Sequence, residues 1–137
     1  MPTDRVLTDF AGTWGIARDI VPSFGSPARF EGQAVWTPQE DTLTYVETGI
    51  LSIPGSTPMR AERRYIWGAD LSVYFEGGAF FHQVPAGGGR TVHFCEPDTY
   101  LVDYDFGDWP QFRTVWSVKG PKKSYVMTSL FTRQAAA

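Results

Sequence analysis

Turn chemistry interrupts this chain so often that neither a long helix nor a parallel crossover fits between the breaks. The clusters "SFGSP", "PQEDT", "SIPGSTP", "GAD", "EGG", "PAGGGR", "EPD", "GDWP" and "KGPKK" punctuate it. Each is rich in residues that preset turn dihedrals or hydrogen-bond their own backbone. The alternating segments between them predict strands over 11–21, 28–37, 43–53, 59–67, 71–76, 79–84, 91–96, 99–106, 112–119 and 124–133. Parallel pairing needs a crossover of about a dozen residues or more, so these short connections imply antiparallel neighbours. A helix has room only within residues 1–10, with Thr3 or Asp4 as its cap. A long open meander leaves exposed edges, and closure removes them. The expectation is an all-β, closed antiparallel up-and-down β-barrel of about 8–10 strands, rather than a two-sheet sandwich. It forms a single domain over residues 1–137, with its first and last strands paired.

Five Trp, six Tyr and ten Phe suit strands around a wide core or pocket. A net charge of -3 without any basic run argues against nucleic acid as a partner. No apolar run approaches the roughly 18 residues that span a membrane, and "MPTDRVLTDF" has no apolar signal region. The single cysteine, Cys95, fits a reducing compartment and is expected as a small buried hydrophobe. These features describe a soluble, cytoplasmic protein; whether it forms a homodimer stays open.

Period-two reading assigns the interior. In "FAGTWGIARDI", Phe10, Gly12, Trp14, Ile16, Arg18 and Ile20 share a face, so one guanidinium sits among apolar side chains. The next strand turns Phe30, Gly32, Ala34 and Trp36 inward, with small residues in the middle that leave room for a neighbouring side chain or a ligand. Leu43, Tyr45, Glu47, Gly49 and Leu51 follow, then Ala61, Arg63, Tyr65 and Trp67, with Glu62 and Arg64 outward. His82 is placed on the face of Phe80, and His93 on that of Cys95; Tyr100, Val102, Tyr104 and Phe106 form another inward set, as do Phe112, Thr114, Trp116 and Val118. A buried charge must be paired or face a polar cavity. Arg18 therefore either pairs with Glu47, with tyrosines completing the network, or joins Arg63 in holding an anionic ligand.

Two resemblances follow. "FAGTW" at 10–14 is similar to the G-x-W signature on the first strand of lipocalin-like, calycin-type barrels. That likeness implies that Trp14 packs at the barrel base against an arginine on a late strand, here Arg133 of "SLFTR". Over nearly the whole chain, "GTWGIARDI", "FEGQAVW", "LTYVETG", "ERRYIW", "FFH", "HFCEPDTYLVDYDF" and "VKGPKKSYVMTSLFTR" resemble the uncharacterised family named domain of unknown function 6314. This resemblance implies a small barrel and brings no activity or catalytic residues with it.

The interior inventory limits the chemistry. A ligand would meet Arg18, Tyr45, Glu47, Arg63, Tyr65, His82, His93, Tyr100, Tyr104 and Trp116, with Trp14, Trp36 and Trp67 as further walls. The leading reading is a binding barrel for a small, partly apolar ligand bearing an anionic group. A lyase or isomerase using His82, His93 or Tyr100 for proton transfer is the alternative. A haem- or metal-binding barrel, with His82, His93, Cys95 and Glu47 as candidate ligands, is another. No specific cofactor follows from the sequence. "GGG" at 87–89 lacks a following helix and Lys-Ser/Thr, so it is a hairpin turn and not a phosphate loop. "YDFGDWP" at 104–110 is expected to form a lid or staple at the barrel mouth, and "GPKK" at 120–123 a solvated hairpin tip.

Overall fold

The structure is a computed structural model that describes residues 4–134. A short 3-10 helix (Leu7–Phe10) precedes ten strands: β1 (Gly12–Pro22), β2 (Ala28–Gln39), β3 (Thr42–Ser52), β4 (Met59–Trp67), β5 (Ser72–Phe75), β6 (Phe80–Gln83), β7 (Gly89–Cys95), β8 (Asp98–Asp105), β9 (Phe112–Lys119) and β10 (Ser124–Arg133). They stand where the turn chemistry places them, with bounds within two residues of expectation. All pair antiparallel in the order β6-β5-β4-β3-β2-β1-β10-β9-β8-β7. β1 pairs with β10 from Trp14 opposite Arg133 to Pro22 opposite Tyr125, as an up-and-down barrel requires of its ends. The sheet is thus nearly closed. The seam lies between β6 and β7, which share no ladder among the described residues. Aromatic rings bridge it, Phe81 and His93 at 5.4 Å and Phe80 and His93 at 6.2 Å between centroids.

The seam also holds a correction. His82 was expected to share the face of Phe80, yet Phe81 and His82 are both buried and Phe80 is exposed. The β5–β6 pairing shifts register between Val73 and Tyr74, and this irregularity breaks the period of two locally. Cys95 departs from expectation as well. It ends β7 at the tight turn opposite Asp98, where sharing an inward face does not bury it, and its thiol is free and exposed.

Aromatic packing closes one end of the barrel. Phe10 is fully buried, its ring 5.0 Å from Trp67, 5.2 Å from Trp109 and 5.7 Å from Phe112. Trp14 donates its indole N–H to the Phe10 carbonyl at 2.9 Å. The Arg133 guanidinium lies 4.2 Å over the Trp14 ring and donates to the carbonyls of Ala11, at 2.8 Å, and Asp9. One arginine thereby ties the last strand to the 3-10 helix, as the G-x-W resemblance implies. The helix is not capped by Asp4, and Thr3 falls outside the described residues; the Asp9 carboxylate accepts the Val6 N–H at 2.8 Å instead. Phe106 and Trp109 of "YDFGDWP" pack against Phe10 at this same end, so that segment staples the closed base and not the mouth. No helix among the described residues is long and apolar enough to cross a membrane.

The two inward glycines do not make room for a ligand. Gly32 and Gly49 face each other across β2 and β3. A Cβ on Gly32 would lie 2.0 Å from the Thr48 carbonyl oxygen, and one on Gly49 would lie 2.7 Å from Cζ of Phe30. They let two backbones approach and let the Phe30 ring settle over the gap. Gly32→Ala should cost about 2 kcal/mol or more in denaturant unfolding. Gly77→Ala, whose Cβ meets nothing within 4 Å, should leave stability nearly unchanged. Equal effects would refute this account of the pair.

Candidate functional site

Above the aromatic base, alternation brings β1, β3, β4 and β10 to one polar cluster. Arg18 is 5% and Glu47 2% exposed, and they form a two-point ion pair: Nη1 to Oε2 at 2.5 Å and Nη2 to Oε1 at 3.0 Å. Arg18 Nε donates to Ser129 Oγ at 2.7 Å, and the Tyr45 hydroxyl donates to Glu47 Oε1. The Phe30 ring lies 5.1 Å from the Arg18 guanidinium carbon. Burial works against the charge of Arg18, but the hydrogen bond and charge of Glu47 outweigh it and raise its pKa. For Glu47, burial pushes the carboxyl up, and the hydrogen bond and charge of Arg18, with help from Tyr45 and Arg63, hold it below the ordinary carboxylate value. Burial, then the Glu47 charge, drives Tyr45 well above the ordinary phenol value, so it stays a donor.

Arg63, four residues from the base residue Trp67 on β4, is held more loosely. Its Nε is 4.0 Å from Glu47 Oε2, and its side chain is 37% exposed. Its guanidinium carbon lies 5.6 Å over the Trp116 ring, with the Tyr65 and Tyr125 hydroxyls within reach. On the outer face of the same strand, Arg64 pairs with Glu62 at 3.0 Å, as expected for a solvated side.

These residues line a cavity of which about 40 Å³ is open to the centre of a water molecule, room for about three waters. Arg18, Tyr45, Glu47, Arg63, Tyr65, His82, Tyr104 and Trp116 all border it. His93 and Tyr100 do not. His93 sits at the seam with its ring 6.3 Å from that of Tyr100, and the Tyr100 hydroxyl accepts from Lys123 Nζ at 3.4 Å. Of the three proton-transfer candidates, only His82 reaches the cavity.

His82 is 2% exposed, and its Nε2 is 2.8 Å from the Tyr104 hydroxyl. Burial, with a smaller contribution from His93, pushes its pKa down to about 3, so the imidazole is neutral. Burial raises Tyr104 far above the ordinary phenol value. Two buried side-chain atoms have no hydrogen-bond partner among the described residues, His82 Nδ1 and Trp36 Nε1, and both side chains border the cavity. Among the described residues no group of His, Cys, Asp and Glu gathers as metal ligands. Glu47 is engaged by Arg18, and Cys95 is exposed outside the cavity.

Sequence reasoning gave no role to Ser129, which completes the Arg18 site. It shares the inward parity of Met127 and Phe131 on β10, but which side chain it meets depends on the register of β1 against β10. Nor was the orphaned indole N–H of Trp36 foreseeable, because an inward tryptophan reads simply as a wall.

Residues 10–133 match the model of a protein family described as Family of unknown function (DUF6314), and the chain belongs to that family. No curated protein matches the chain. Among solved structures, the S-type phycobiliprotein lyase CPES from Guillardia theta aligns with a TM-score of 0.64 at 10% sequence identity, covering 96% of this chain and 92% of that one. At that identity the likeness is one of fold.

The pairing of Arg18 with Glu47 makes a thermodynamic prediction. Arg18→Met strands a buried carboxylate and should destabilise by about 3–5 kcal/mol in denaturant unfolding. Adding Glu47→Gln to it should recover more than half of that loss. A double variant no more stable than Arg18→Met would contradict the pairing.

Proposed function

We propose that this member of the DUF6314 family is a small-molecule-binding barrel whose cavity receives a partly apolar ligand bearing an anionic group. One observation carries the reading. Two guanidiniums and one carboxylate border the cavity beside a neutral histidine, which leaves one net positive charge. Because Glu47 is engaged at both oxygens by Arg18, that charge resides at Arg63, the half-exposed one. A ligand anion there gains a charge-assisted hydrogen bond without displacing the buried pair. Arg18 then serves by fixing Glu47 and the polar floor beneath the ligand. With room for about three water-sized groups inside, only part of the ligand enters, and its apolar remainder rests on the half-buried rings of Tyr65 and Trp116. A cytoplasmic location accords with the free, exposed Cys95.

A lyase- or isomerase-type proton transfer is the second reading. The hydrogen-bonded His82–Tyr104 pair at the cavity wall favours it, and the fold neighbour is a lyase by name.

Titration of tryptophan fluorescence with hexanoate and benzoate at neutral pH tests the binding reading, since Trp116 underlies Arg63. Saturable quenching is expected, weakened about tenfold or more by Arg63→Gln and unaffected by Arg64→Gln on the outer face. Equal binding of hexanol, or no effect of Arg63→Gln, would overturn the anion site.

A further inference from the structure

We infer that the cavity selects a ligand whose buried end only accepts hydrogen bonds, and that the class it fits is a short oxo-carboxylate, carboxylate at Arg63 and oxo oxygen inside. This rests on the anion-binding reading above and deepens it.

An indole N–H can only donate, and that of Trp36 is buried without an acceptor. The His82–Tyr104 pair contributes one more unmet donor whichever tautomer is present. If Tyr104 donates to His82 Nε2, the proton on Nδ1 is unmet. If Nε2–H donates to Tyr104, the phenol proton is free. Arg63 adds the N–H groups not directed at Glu47 or the tyrosines. On the acceptor side, Glu47 already receives Arg18 through both oxygens and Tyr45 through one. The β8 and β9 backbones pair in a ladder, and Thr114, whose hydroxyl rotates, can serve in either sense. With Tyr104 donating to His82 Nε2, the unmet groups at the Trp36 and His82 end of the space are both donors, an indole N–H and an Nδ1–H.

Such a lining discriminates by what it leaves unpaired. A carbonyl oxygen has two lone pairs and no proton, so it satisfies donors and demands nothing back. A hydroxyl placed at that end brings a proton that finds no fixed acceptor beside the two donors. An ammonium brings three, next to a net positive charge. Size narrows the class further. Space for about three water-sized groups admits the acyl end of a molecule like pyruvate, with its carboxylate at the mouth. The oxo group of such an acid lies one bond from the carboxylate, so one small molecule presents acceptors both at Arg63 and inward.

The test uses pyruvate, propionate, lactate and alanine as probes, by isothermal titration of the full-length protein at neutral pH. Pyruvate should bind about tenfold or more tighter than propionate, which has the same carboxylate and lacks the oxo oxygen. Lactate should fall well below pyruvate, and alanine should not bind. In parallel, the assigned indole 1H–15N resonance of Trp36 should move on adding pyruvate and stay in place with propionate. Propionate binding as tightly as pyruvate, with dependence on Arg63, would overturn this inference and leave the anion site standing. No binding by any of the carboxylates, hexanoate and benzoate included, would overturn both. An unmoved Trp36 indole with pyruvate bound would also reject the inference, because the oxo group would then lie elsewhere.

Discussion

Everything inside this barrel is arranged around one buried ion pair. Desolvating a guanidinium and a carboxylate costs several kcal/mol for each ion, and only good geometry with further hydrogen bonds offsets it. Arg18 and Glu47 meet at two points, Ser129 takes the remaining guanidinium edge and Tyr45 donates to the carboxylate. Four residues from three strands are thereby fixed in relative position. Glu47 is thus committed chiefly to Arg18 and meets Arg63 only at 4.0 Å, so the second, partly exposed arginine carries the cavity's excess positive charge. The function proposed for the cavity follows from that asymmetry.

The surrounding architecture serves the same end. Aromatic rings from the 3-10 helix, β2, β4 and the segment before β9 pack together at the base, and the polar cluster lies above them. The Gly32–Gly49 contact draws β2 and β3 together beside the ion pair. The β6–β7 seam, bridged by rings and not by a ladder, puts its shortest strand against the cavity and bends it enough to turn both Phe81 and His82 inward. The irregular strand therefore supplies the interior histidine, in keeping with the tendency of bulges to re-aim side chains beside sites.

Most of this was legible in the sequence because alternation is a strict code when one face of a sheet is buried. Arg18, Glu47 and Arg63 could be placed inside by counting in twos, and Tyr45, Tyr65, Tyr104 and Trp116 came with them. The misplacements have local causes. Counting in twos put His82 on the face of Phe80, but the irregularity in β5–β6 separates them. Cys95 and His93 share a parity, yet one ends a hairpin beyond the packed interior and the other lies at the seam. The role of small inward residues was also ambiguous, since a gap in one strand can admit a ligand or a neighbouring backbone, and parity does not tell which. Pairwise chemistry across strands was the least legible. Whether Arg18 meets Glu47 or a ligand depends on barrel curvature and register, which no single strand encodes.

The central claim is that the cavity's uncompensated charge belongs to Arg63 and not to Arg18. A crystal of the protein soaked in bromide, with anomalous data collected at the bromine edge, measures this directly. The account predicts an anomalous peak inside the barrel mouth, in contact with the Arg63 guanidinium and over the edge of Trp116. A peak against Arg18 with Glu47 displaced, or an empty cavity beside bromide sites on the outer surface, would contradict it.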